Sequence, residues 1–231
     1  MRKIAIIPAR GGSKRIPKKN IKFFYGKPII SYSIEVAKKS NLFDEIMVST
    51  DDLEISKISK SYGAEVPFIR SKLNSKDDST TADVIAEVIQ KYESKGRIFD
   101  YICCIYPTAP LINEKHLIKS FNIFIKNKFE SLIPLVSYST PIQRAIKLND
   151  KKIEMFFPEF TNSRSQDLER AYFDSGQFYW IDKESFIKKN KLFTDNTGGY
   201  ILSELQAQDI DNPDDWELTK LKYKLNERLF D

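Results

Sequence analysis

Two adjacent glycines among five basic residues mark the segment 9–20, ARGGSKRIPKKN, as a candidate anion-binding loop. The segment follows residues 3–8, a short apolar run typical of a buried strand. Glycines allow sharp turns that present backbone N–H groups, and arginine and lysine add positive charge, so the segment suits the oxyanions of a polyphosphate. It contains neither the Walker A pattern nor the GxGxxG dinucleotide pattern, which disfavours those two nucleotide sites. A solvated basic loop is the alternative.

A second candidate site is the pair of carboxylates at Asp209 and Asp211. In an extended segment, positions i and i+2 lie on one face, so both side chains can approach one cation. Carboxylate oxygens together with phosphate oxygens favour Mg²⁺ over softer metals. Taken alone, such a pair before a helix is more typical of capping or solvated charge than of a metal site. A phosphate-binding loop elsewhere in the chain favours the metal, because nucleotide phosphates are normally bound with Mg²⁺.

Two isolated arginines are further candidates. Arg70 follows a predicted strand, and Arg164 lies in a polar stretch. Arg164 could form a bidentate pair with a substrate carboxylate. Pairing with Asp167 or Glu169 at the surface is equally compatible with the sequence.

The scarcity of histidine restricts the chemistry that the chain can perform. Its 231 residues include one histidine and two cysteines. A multi-histidine metal site and a zinc site built from cysteine and histidine are therefore excluded. A serine–histidine–aspartate triad would have to use His116, which falls in the first turn of a predicted helix and is expected to be exposed. The net charge of +5 suits an anionic small molecule as well as nucleic acid.

The cysteines and the N-terminus bear on the cellular compartment. Cys103 and Cys104 are adjacent in an apolar run, so on a strand their side chains point to opposite faces and a framework disulfide is not expected. The apolar run 4–7 is too short for a signal peptide, and no stretch approaches membrane-spanning length. We therefore expect a soluble, cytoplasmic protein without a membrane partner.

Short β-branched runs alternate with amphipathic helical patterns along the chain. Strands are predicted at 3–8, 45–50, 65–69, 101–106, 131–136 and 176–181, and helices at 28–40, 53–62, 80–93, 113–127 and from residue 213 onward. This alternation predicts an α/β fold with a doubly wound, mostly parallel sheet and helices on both faces. Residues 137–174 interrupt it with a hairpin signal at Asn149-Asp150. We expect one domain over 1–231, with 137–174 as an inserted arm that covers a ligand or reaches a partner subunit.

Several further motifs accompany the basic segment in chain order: VSTD at 48–51, Arg70, YPTAP at 106–110, RSQ at 164–166, SG at 175–176 and DID at 209–211. Together with residues 7–21, IPARGGSKRIPKKNI, this ordered set resembles the signature of the cytidylyltransferases that make CMP-activated nonulosonic acids. The resemblance spans nearly the whole chain. It implies a Rossmann-like nucleotidyltransferase fold and the transfer of CMP from CTP to the anomeric hydroxyl of a nonulosonic acid, with release of pyrophosphate. It also implies a homodimer whose inserted arm contributes to the partner's site.

The same resemblance implies roles for individual residues. Those expected to bind the nucleotide are Ala9, Arg10, Gly11, Gly12, Ser13, Lys14, Lys19, Asn20 and Arg70. Those expected to bind the sugar are Tyr106, Arg164, Gln166, Phe173 and Gln177, with Arg164 on the sugar carboxylate. Asp209 and Asp211 would hold Mg²⁺. Arg10, Lys19 and Asp211 are expected to be catalytic, because cations stabilise the charge that spreads over the phosphate oxygens and a carboxylate can accept the attacking proton; a metal-bound hydroxyl could manage that proton instead.

Departures from the N-acylneuraminate pattern bear on the identity of the sugar. Residues 173–180, FDSGQFYW, stand where those enzymes commonly carry an Arg-Pro-Asn-Gly stretch, and Tyr106 stands where they often have glutamine. The stretches 141–145 and 163–167 look like the pseudaminic acid branch of the family, whose sugar is a 9-deoxy relative. Apolar Phe173 suits such a less hydroxylated tail. We therefore expect pseudaminic acid, with legionaminic and N-acetylneuraminic acid as alternatives.

Two alternatives lie outside the family. A nucleotide-sugar glycosyltransferase shares a similar sheet and a paired-aspartate motif, but usually places that motif after a central strand, where this chain has Tyr106-Pro107-Thr108. A non-enzymatic nucleotide sensor would not need a metal pair together with an arginine for the sugar carboxylate. The concentration of cations in one loop indicates a CTP site rather than a nucleic-acid surface.

Overall fold

Within residues 1–230, which the computed structural model describes, strands and helices alternate much as the sequence predicts. The strands are β1 (Lys3–Pro8), β2 (Phe23–Phe24), β3 (Lys27–Pro28), β4 (Glu45–Ser49), β5 (Tyr101–Ile105), β6 (Ser131–Ser137), β7 (Ile146–Asn149), β8 (Lys152–Met155), β9 (Tyr172–Asp174), β10 (Phe178–Asp182) and β11 (Thr197–Leu202). The helices are α1 (Ile30–Ser40), α2 (Leu53–Ser61), α3 (Thr81–Glu93), α4 (Glu114–Lys126), α5 (Lys183–Lys189) and α6 (Pro213–Phe230). None of these helices is both long enough and apolar enough to cross a membrane.

The main sheet has the strand order β11-β6-β10-β5-β1-β4, and β9 also pairs with β6. Strand β1 is parallel to β4 and β5, and β11 is parallel to β6. Strand β10 is antiparallel to both β5 and β6, so β4, β1, β5, β6 and β11 all run in one direction while β10 and β9 run in the other. The prediction of a mostly parallel sheet is confirmed.

Helices bury both faces of the sheet. Along β1, Ala5 and Ile7 pack with α1, α2 and α4, whereas Ile4 and Ile6 pack with α3 and α5. Burying one such aliphatic side chain stabilises the fold by about 1.5–3 kcal/mol relative to leaving it exposed, so the two apolar layers fix which way each element faces. The free thiols of Cys103 and Cys104 are buried on these opposite faces, as predicted.

Capping residues determine where several helices begin and end. Thr80 forms a capping box with Asp83 at the start of α3, and Asn212 Oδ1 accepts the N–H of Asp215 in the first turn of α6. Gly63, which has a φ of +92°, follows the C-terminus of α2. Asparagine before Pro213 and glycine after residue 62 are typical N-cap and C-cap residues, and the structure uses both in these roles.

The predicted strand at 65–69 is wrong. Glu65 makes an isolated parallel bridge to Met47, and no ladder continues from it. Pro67 has no N–H to donate to a neighbouring strand, and the N–H of Arg70 bonds to Thr50 O at the end of β4 instead. The segment therefore follows β4 as a loop and delivers Arg70 to the carboxyl edge of the sheet.

Strand β11 and helix α5 were not predicted from the sequence. β11 reads TGGYIL, and two glycines weaken the strand pattern. The structure explains one of them, because a Cβ at Gly198 would lie 2.2 Å from the ring of Phe129. α5 has seven residues, which is too few for a helical period to stand out.

The arm is built around the predicted hairpin. β7 and β8 pair in antiparallel register around a turn in which Asp150 and Lys151 have φ of 44° and 69°. Two consecutive positive φ values are typical of the type I′ turn that matches strand twist. The hairpin carries exposed apolar side chains, among them Leu148 and Ile153 at 71% and 72% exposure. This surface is unusual for a solvent-facing hairpin and is available to a partner.

The expectation that His116 is exposed is wrong. Its imidazole is buried, and its Nδ1 accepts the N–H of Asn113 while Asn113 Oδ1 accepts the N–H of His116, which closes a capping box at the start of α4. Burial lowers the pKa of His116 from 6.5 to about 4. Histidine thus takes the position at which glutamate or glutamine usually closes such a box, a substitution that sequence rules for capping do not anticipate.

Replacing His116 by glutamine should make the free energy of unfolding depend less on pH in the acid range. The folded pKa lies below the unfolded value, so the unfolded chain binds more protons between about pH 6.5 and about pH 4. As the pH falls across this window, the unfolding free energy of the wild type should therefore decrease by up to about 3 kcal/mol through this group. H116Q should not show this decrease, because glutamine can close the capping box and does not titrate. Urea unfolding of both proteins across the window measures this; parallel curves would contradict it.

Candidate active site

The carboxyl ends of three neighbouring strands meet at one edge of the sheet. β1 leads into the basic segment, β4 into Thr50-Asp51-Asp52, and β5 into Tyr106-Pro107-Thr108. Ligands of open α/β sheets bind at this edge. A cavity of about 230 Å³ opens there. Its polar lining residues are Arg10, Ser13, Lys14, Arg15, Lys19, Asn20, Ser79, Thr80, Thr81, Tyr106, Thr108 and Asp211.

The two glycines of the basic segment have different surroundings. The N–H of Gly11 donates to Asp51 Oδ1 at 2.9 Å, and a Cβ at Gly11 would lie 2.8 Å from Asp52 Oδ2. Asp52 is not free to move away, because its Oδ1 accepts the N–H groups of Glu54 and Ile55 as the N-cap of α2. A Cβ at Gly12 would have no atom within 4 Å. Gly11 therefore allows the basic segment to lie against the start of α2, whereas Gly12 faces open space.

Arg10 and Lys14 converge on one carboxylate. The Arg10 guanidinium donates to Asp77 Oδ1 at 2.6 Å and to Lys76 O at 3.1 Å, and Lys14 Nζ donates to Asp77 Oδ2. The hydrogen bond from Lys14, with that from Arg10, lowers the pKa of Asp77. Two cations that each bind one oxygen of the same anionic group have the arrangement that a phosphate requires.

Asn20 and Lys19 connect the basic segment to the rest of the site. Asn20 is buried, and its Nδ2 donates to Arg10 O at 2.9 Å. Lys19 Nζ donates to Ile210 O, between the two aspartates of the second candidate site. Burial lowers the pKa of Lys19, and the charges of Asp209 and Asp211 oppose this. Segments almost two hundred residues apart in the chain thus form one site.

Asp209 and Asp211 are close enough to influence each other. Burial raises the pKa of Asp209, and the negative charge of Asp211 acts in the same direction. Asp211 Oδ1 accepts a hydrogen bond from Arg15 at 2.7 Å. Among the described residues, no group of three or more histidine, cysteine or acidic side chains is placed to hold a metal ion. Asp211 lines the cavity and Asp209 does not, and two hard carboxylates of this kind form a donor set that would suit Mg²⁺.

Two of the residues expected to bind the nucleotide are buried behind the cavity. Ala9 is buried directly after β1, and its N–H bonds to Ser49 O at the end of β4 at 2.9 Å. The guanidinium of Arg70 donates to Ser49 Oγ at 3.0 Å and to Ser49 O, and burial lowers its pKa. In this structure both support the strand end beneath the basic segment and do not line the cavity.

The residues expected to bind the sugar occupy three environments. Tyr106 lines the cavity, where its hydroxyl lies 2.9 Å from Thr81 Oγ1, and burial raises its pKa to about 12. Phe173 is partly exposed and packs beside Tyr138, with ring centroids 5.0 Å apart. Gln177 is fully buried, and its Nε2 donates to Ser175 O at 3.0 Å and Gln208 O at 3.2 Å.

Arg164 and Gln166 lie in the arm, outside the cavity of their own chain. Arg164 Nε donates to Asp167 Oδ2 at 3.0 Å at an exposed position, which is the surface pairing that the sequence left open. The structure thus brings the basic segment, Tyr106 and Asp211 together, and it leaves these two arm residues apart from them.

Several cavity residues were missed by the sequence reasoning. Thr80 and Thr81 line the cavity at the start of α3, and Asp77 lies just before them. A signal was present, since SKDDSTTAD combines a helix N-cap with acidic residues directly before a predicted helix. The position of this helix in the sequence does not show that its first turn lies beside the basic segment in the folded chain.

Comparison with known proteins relates these features to a family. The sequence model described as cytidylyltransferase matches residues 4–206. The chain is 42% identical over 227 residues to the pseudaminic acid cytidylyltransferase of Campylobacter jejuni, with 98% of each sequence covered. It is 30% identical to the CMP-N,N′-diacetyllegionaminic acid synthase of Legionella pneumophila, again with 98% of each covered. The solved structure of CMP:2-keto-3-deoxy-manno-octonic acid synthetase complexed with CTP shares the fold, with a TM-score of 0.71 at 17% identity and coverage of 99% of this chain and 100% of that one.

Alanine substitutions at Gly11 and Gly12 test whether the contact between Gly11 and Asp52 constrains the basic segment. Gly11→Ala places a methyl group against the N-cap carboxylate of α2, so we expect the free energy of unfolding to fall by about 1–2 kcal/mol, the cost of losing a helix cap. Gly12→Ala adds the same methyl group in open space and should change stability by less than about 0.5 kcal/mol. Chemical denaturation of both variants measures the difference. Equal losses would show that the contact with Asp52 does not constrain the loop.

Proposed function

The chain belongs to the cytidylyltransferase family, and from that premise we propose that it transfers CMP from CTP to the anomeric hydroxyl of pseudaminic acid, releasing pyrophosphate. The observation that carries the reaction is the convergence of the basic segment and Asp211 on one cavity at the carboxyl edge of the sheet, with Lys19 bonded to the carbonyl between Asp209 and Asp211. The sugar is supported by 42% identity to a pseudaminic acid cytidylyltransferase over nearly the full length of both chains, against 30% to a legionaminic acid enzyme.

The basic segment supplies the electrostatic part of this reaction. In-line attack of a sugar hydroxyl on the α-phosphorus needs no covalent enzyme intermediate, because pyrophosphate leaves as the new bond forms. Negative charge spreads over the phosphate oxygens in the transition state, and fixed cations stabilise it. Arg10, Lys14 and Lys19 line the cavity and are positioned for this role. A Cβ at Gly12 would meet no atom within 4 Å, so the backbone there is open to an approaching phosphate.

We propose that Asp209 and Asp211 hold Mg²⁺, and that the ion when bound neutralises phosphate charge. The support is the donor set itself, two mutually repelling carboxylates beside cations that bind phosphate. Arg15 bonds to Asp211 and Lys19 bonds to the carbonyl between the aspartates, so the basic segment and the carboxylates keep a fixed spacing.

We propose that the arm acts on the partner of a homodimer. Arg164 lies outside the cavity of its own chain, and the hairpin of the same arm exposes Leu148 and Ile153. Burying these apolar side chains against a second copy would stabilise a dimer and bring Arg164 to the partner's cavity, where a guanidinium can bind the sugar carboxylate bidentately.

We also propose a cytoplasmic location for the protein. The support is that Cys103 and Cys104 are buried free thiols, which are typical of proteins in a reducing compartment.

A substrate panel tests the reaction and the sugar. With CTP and Mg²⁺, we expect pyrophosphate release to be fastest with pseudaminic acid, slower with legionaminic acid and slowest with N-acetylneuraminic acid. Faster turnover of N-acetylneuraminic acid would refute the sugar assignment. Release of free nucleotide from a sugar nucleotide would indicate a glycosyltransferase, and binding of CTP without turnover of any sugar would indicate a sensor.

The metal assignment is tested by Asp211→Asn, which keeps the size of the side chain and removes its charge. We expect turnover to fall by more than about 100-fold, because one hard ligand is lost. Asp214→Asn, in the first turn of α6, is the matched control and should keep near-normal turnover. Near-normal activity of D211N at ordinary Mg²⁺ concentrations would refute the assignment.

Mixed dimers test the role of the arm. Arg164→Ala and Asp211→Ala chains should each be inactive alone, but a mixed dimer has one site that combines an intact Asp211 with the partner's intact arginine. After random association about half of the dimers are mixed, so co-expression should restore about a quarter of wild-type activity. Dimers that form, as sedimentation would show, yet regain no activity would mean that each arm serves its own chain.

A further inference from the structure

The segment that carries Asp209 and leads directly into Asp211, residues 207–210, has an unusual pattern of hydrogen bonds. It belongs to no helix or strand, so its carbonyl groups have no regular backbone partners. Each of its four consecutive carbonyl oxygens instead accepts from a side chain: Ala207 O from Lys222 Nζ at 2.9 Å, Gln208 O from Gln177 Nε2 at 3.2 Å, Asp209 O from Gln208 Nε2 at 3.0 Å and Ile210 O from Lys19 Nζ. Side chains from three distant parts of the chain thus fix its backbone.

Lys222 is the least expected of these donors. It lies on α6, it is 9% exposed, and burial lowers its pKa. Desolvating an ammonium group is costly unless hydrogen bonds compensate it. Its Nζ bonds to Ala207 O and to Gln208 Oε1, the latter at 3.0 Å. Lys222 does not line the cavity at the carboxyl edge, so a role in binding the nucleotide does not explain why it is buried.

Gln208 links Lys222 to the backbone of Asp209 through two hydrogen bonds. Its Oε1 accepts from Lys222, and its Nε2 donates to the carbonyl of Asp209. On the other side of the segment, Ile210 is fully buried among Phe24, Ile29 and Trp216, so the backbone cannot rotate there either. The backbone positions of Asp209 and Asp211 are therefore held by the hydrogen-bonded side chains and by the buried isoleucine between them.

We propose that Lys222 is a positioning residue, which holds the Asp209–Asp211 segment in the conformation that binds the metal without touching nucleotide or metal. This inference rests on the proposed metal site. Groups that orient metal ligands commonly change metal affinity by about 10–100-fold when they are removed.

Lys222→Met tests the proposal, because methionine keeps the length and packing of the side chain but donates no hydrogen bond. Lys220→Met, two residues earlier on α6, is the matched control, since Lys220 Nζ bonds to Glu217. Gln208→Met, at the partly exposed relay position, is a second variant that avoids burying a new group in α6. Amide hydrogen exchange of residues 204–211 in metal-free protein and Mn²⁺ binding in the presence of CTP are measured for each, alongside the Mg²⁺ dependence of turnover.

We expect K222M and Q208M to exchange about tenfold faster across 204–211, to bind Mn²⁺ about tenfold more weakly and to need about tenfold more Mg²⁺ for half-maximal turnover. Their KM for the sugar at saturating Mg²⁺ should stay within about twofold of the wild type, and K220M should match the wild type throughout. Unchanged exchange and metal affinity in folded K222M or Q208M would overturn the proposal. If D211N binds Mn²⁺ as tightly as the wild type, the proposed metal site fails, whereas the exchange data still report whether Lys222 holds the segment.

Discussion

A polyphosphate site must hold several cations close together before any phosphate arrives, and the repulsion among them is the constraint on which this structure depends. The basic segment meets it by pairing its cations with carboxylates from separate elements. Arg10 and Lys14 bond to Asp77 before α3, Arg15 bonds to Asp211 before α6, and Lys18 bonds to Glu54 on α2. These exposed pairs add little stability individually. Their effect is geometric, because they connect one loop to three parts of the fold.

The sheet topology makes that pairing possible. β4, β1 and β5 lie side by side and run in one direction, so the segments that follow them emerge at a common edge. Gly11 then brings the basic segment into contact with the start of α2, where a larger residue would meet Asp52. The apolar layers on both faces of the sheet provide the stability, and the edge is left free for charged groups that contribute little to it.

Local patterns in the sequence were sufficient for the features that depend on neighbouring residues. Most strands of the main sheet, most helices, the N-cap Asn212 and the hairpin around Asn149-Asp150 follow from residues within one turn or loop. The anion-binding role of the basic segment stays a prediction. Features that depend on distant pairs were not predictable. Nothing near Lys222 in the sequence shows that its Nζ bonds to Ala207 O. The polarity of His116 likewise does not indicate that its imidazole is buried in a capping box with Asn113. Gly198 of β11 is likewise explained only by the Phe129 ring that packs against it.

The reversed strand β10 shows why part of the site lies where it does. In an all-parallel sheet the residues before a strand emerge at the edge opposite the ligand. Because β10 runs antiparallel to β5, its first residue pairs with the last residue of β5, and the turn before it reaches the cavity edge. Gly176, with a φ of 62°, lets this turn fold against Asp209, whose Cγ would lie 3.6 Å from a Cβ there, and the N–H of Tyr106 bonds to Gln177 O. One change of strand direction thus brings the arm's return, the Tyr106 loop and the aspartate pair to one place, which a parallel strand at that position could not do.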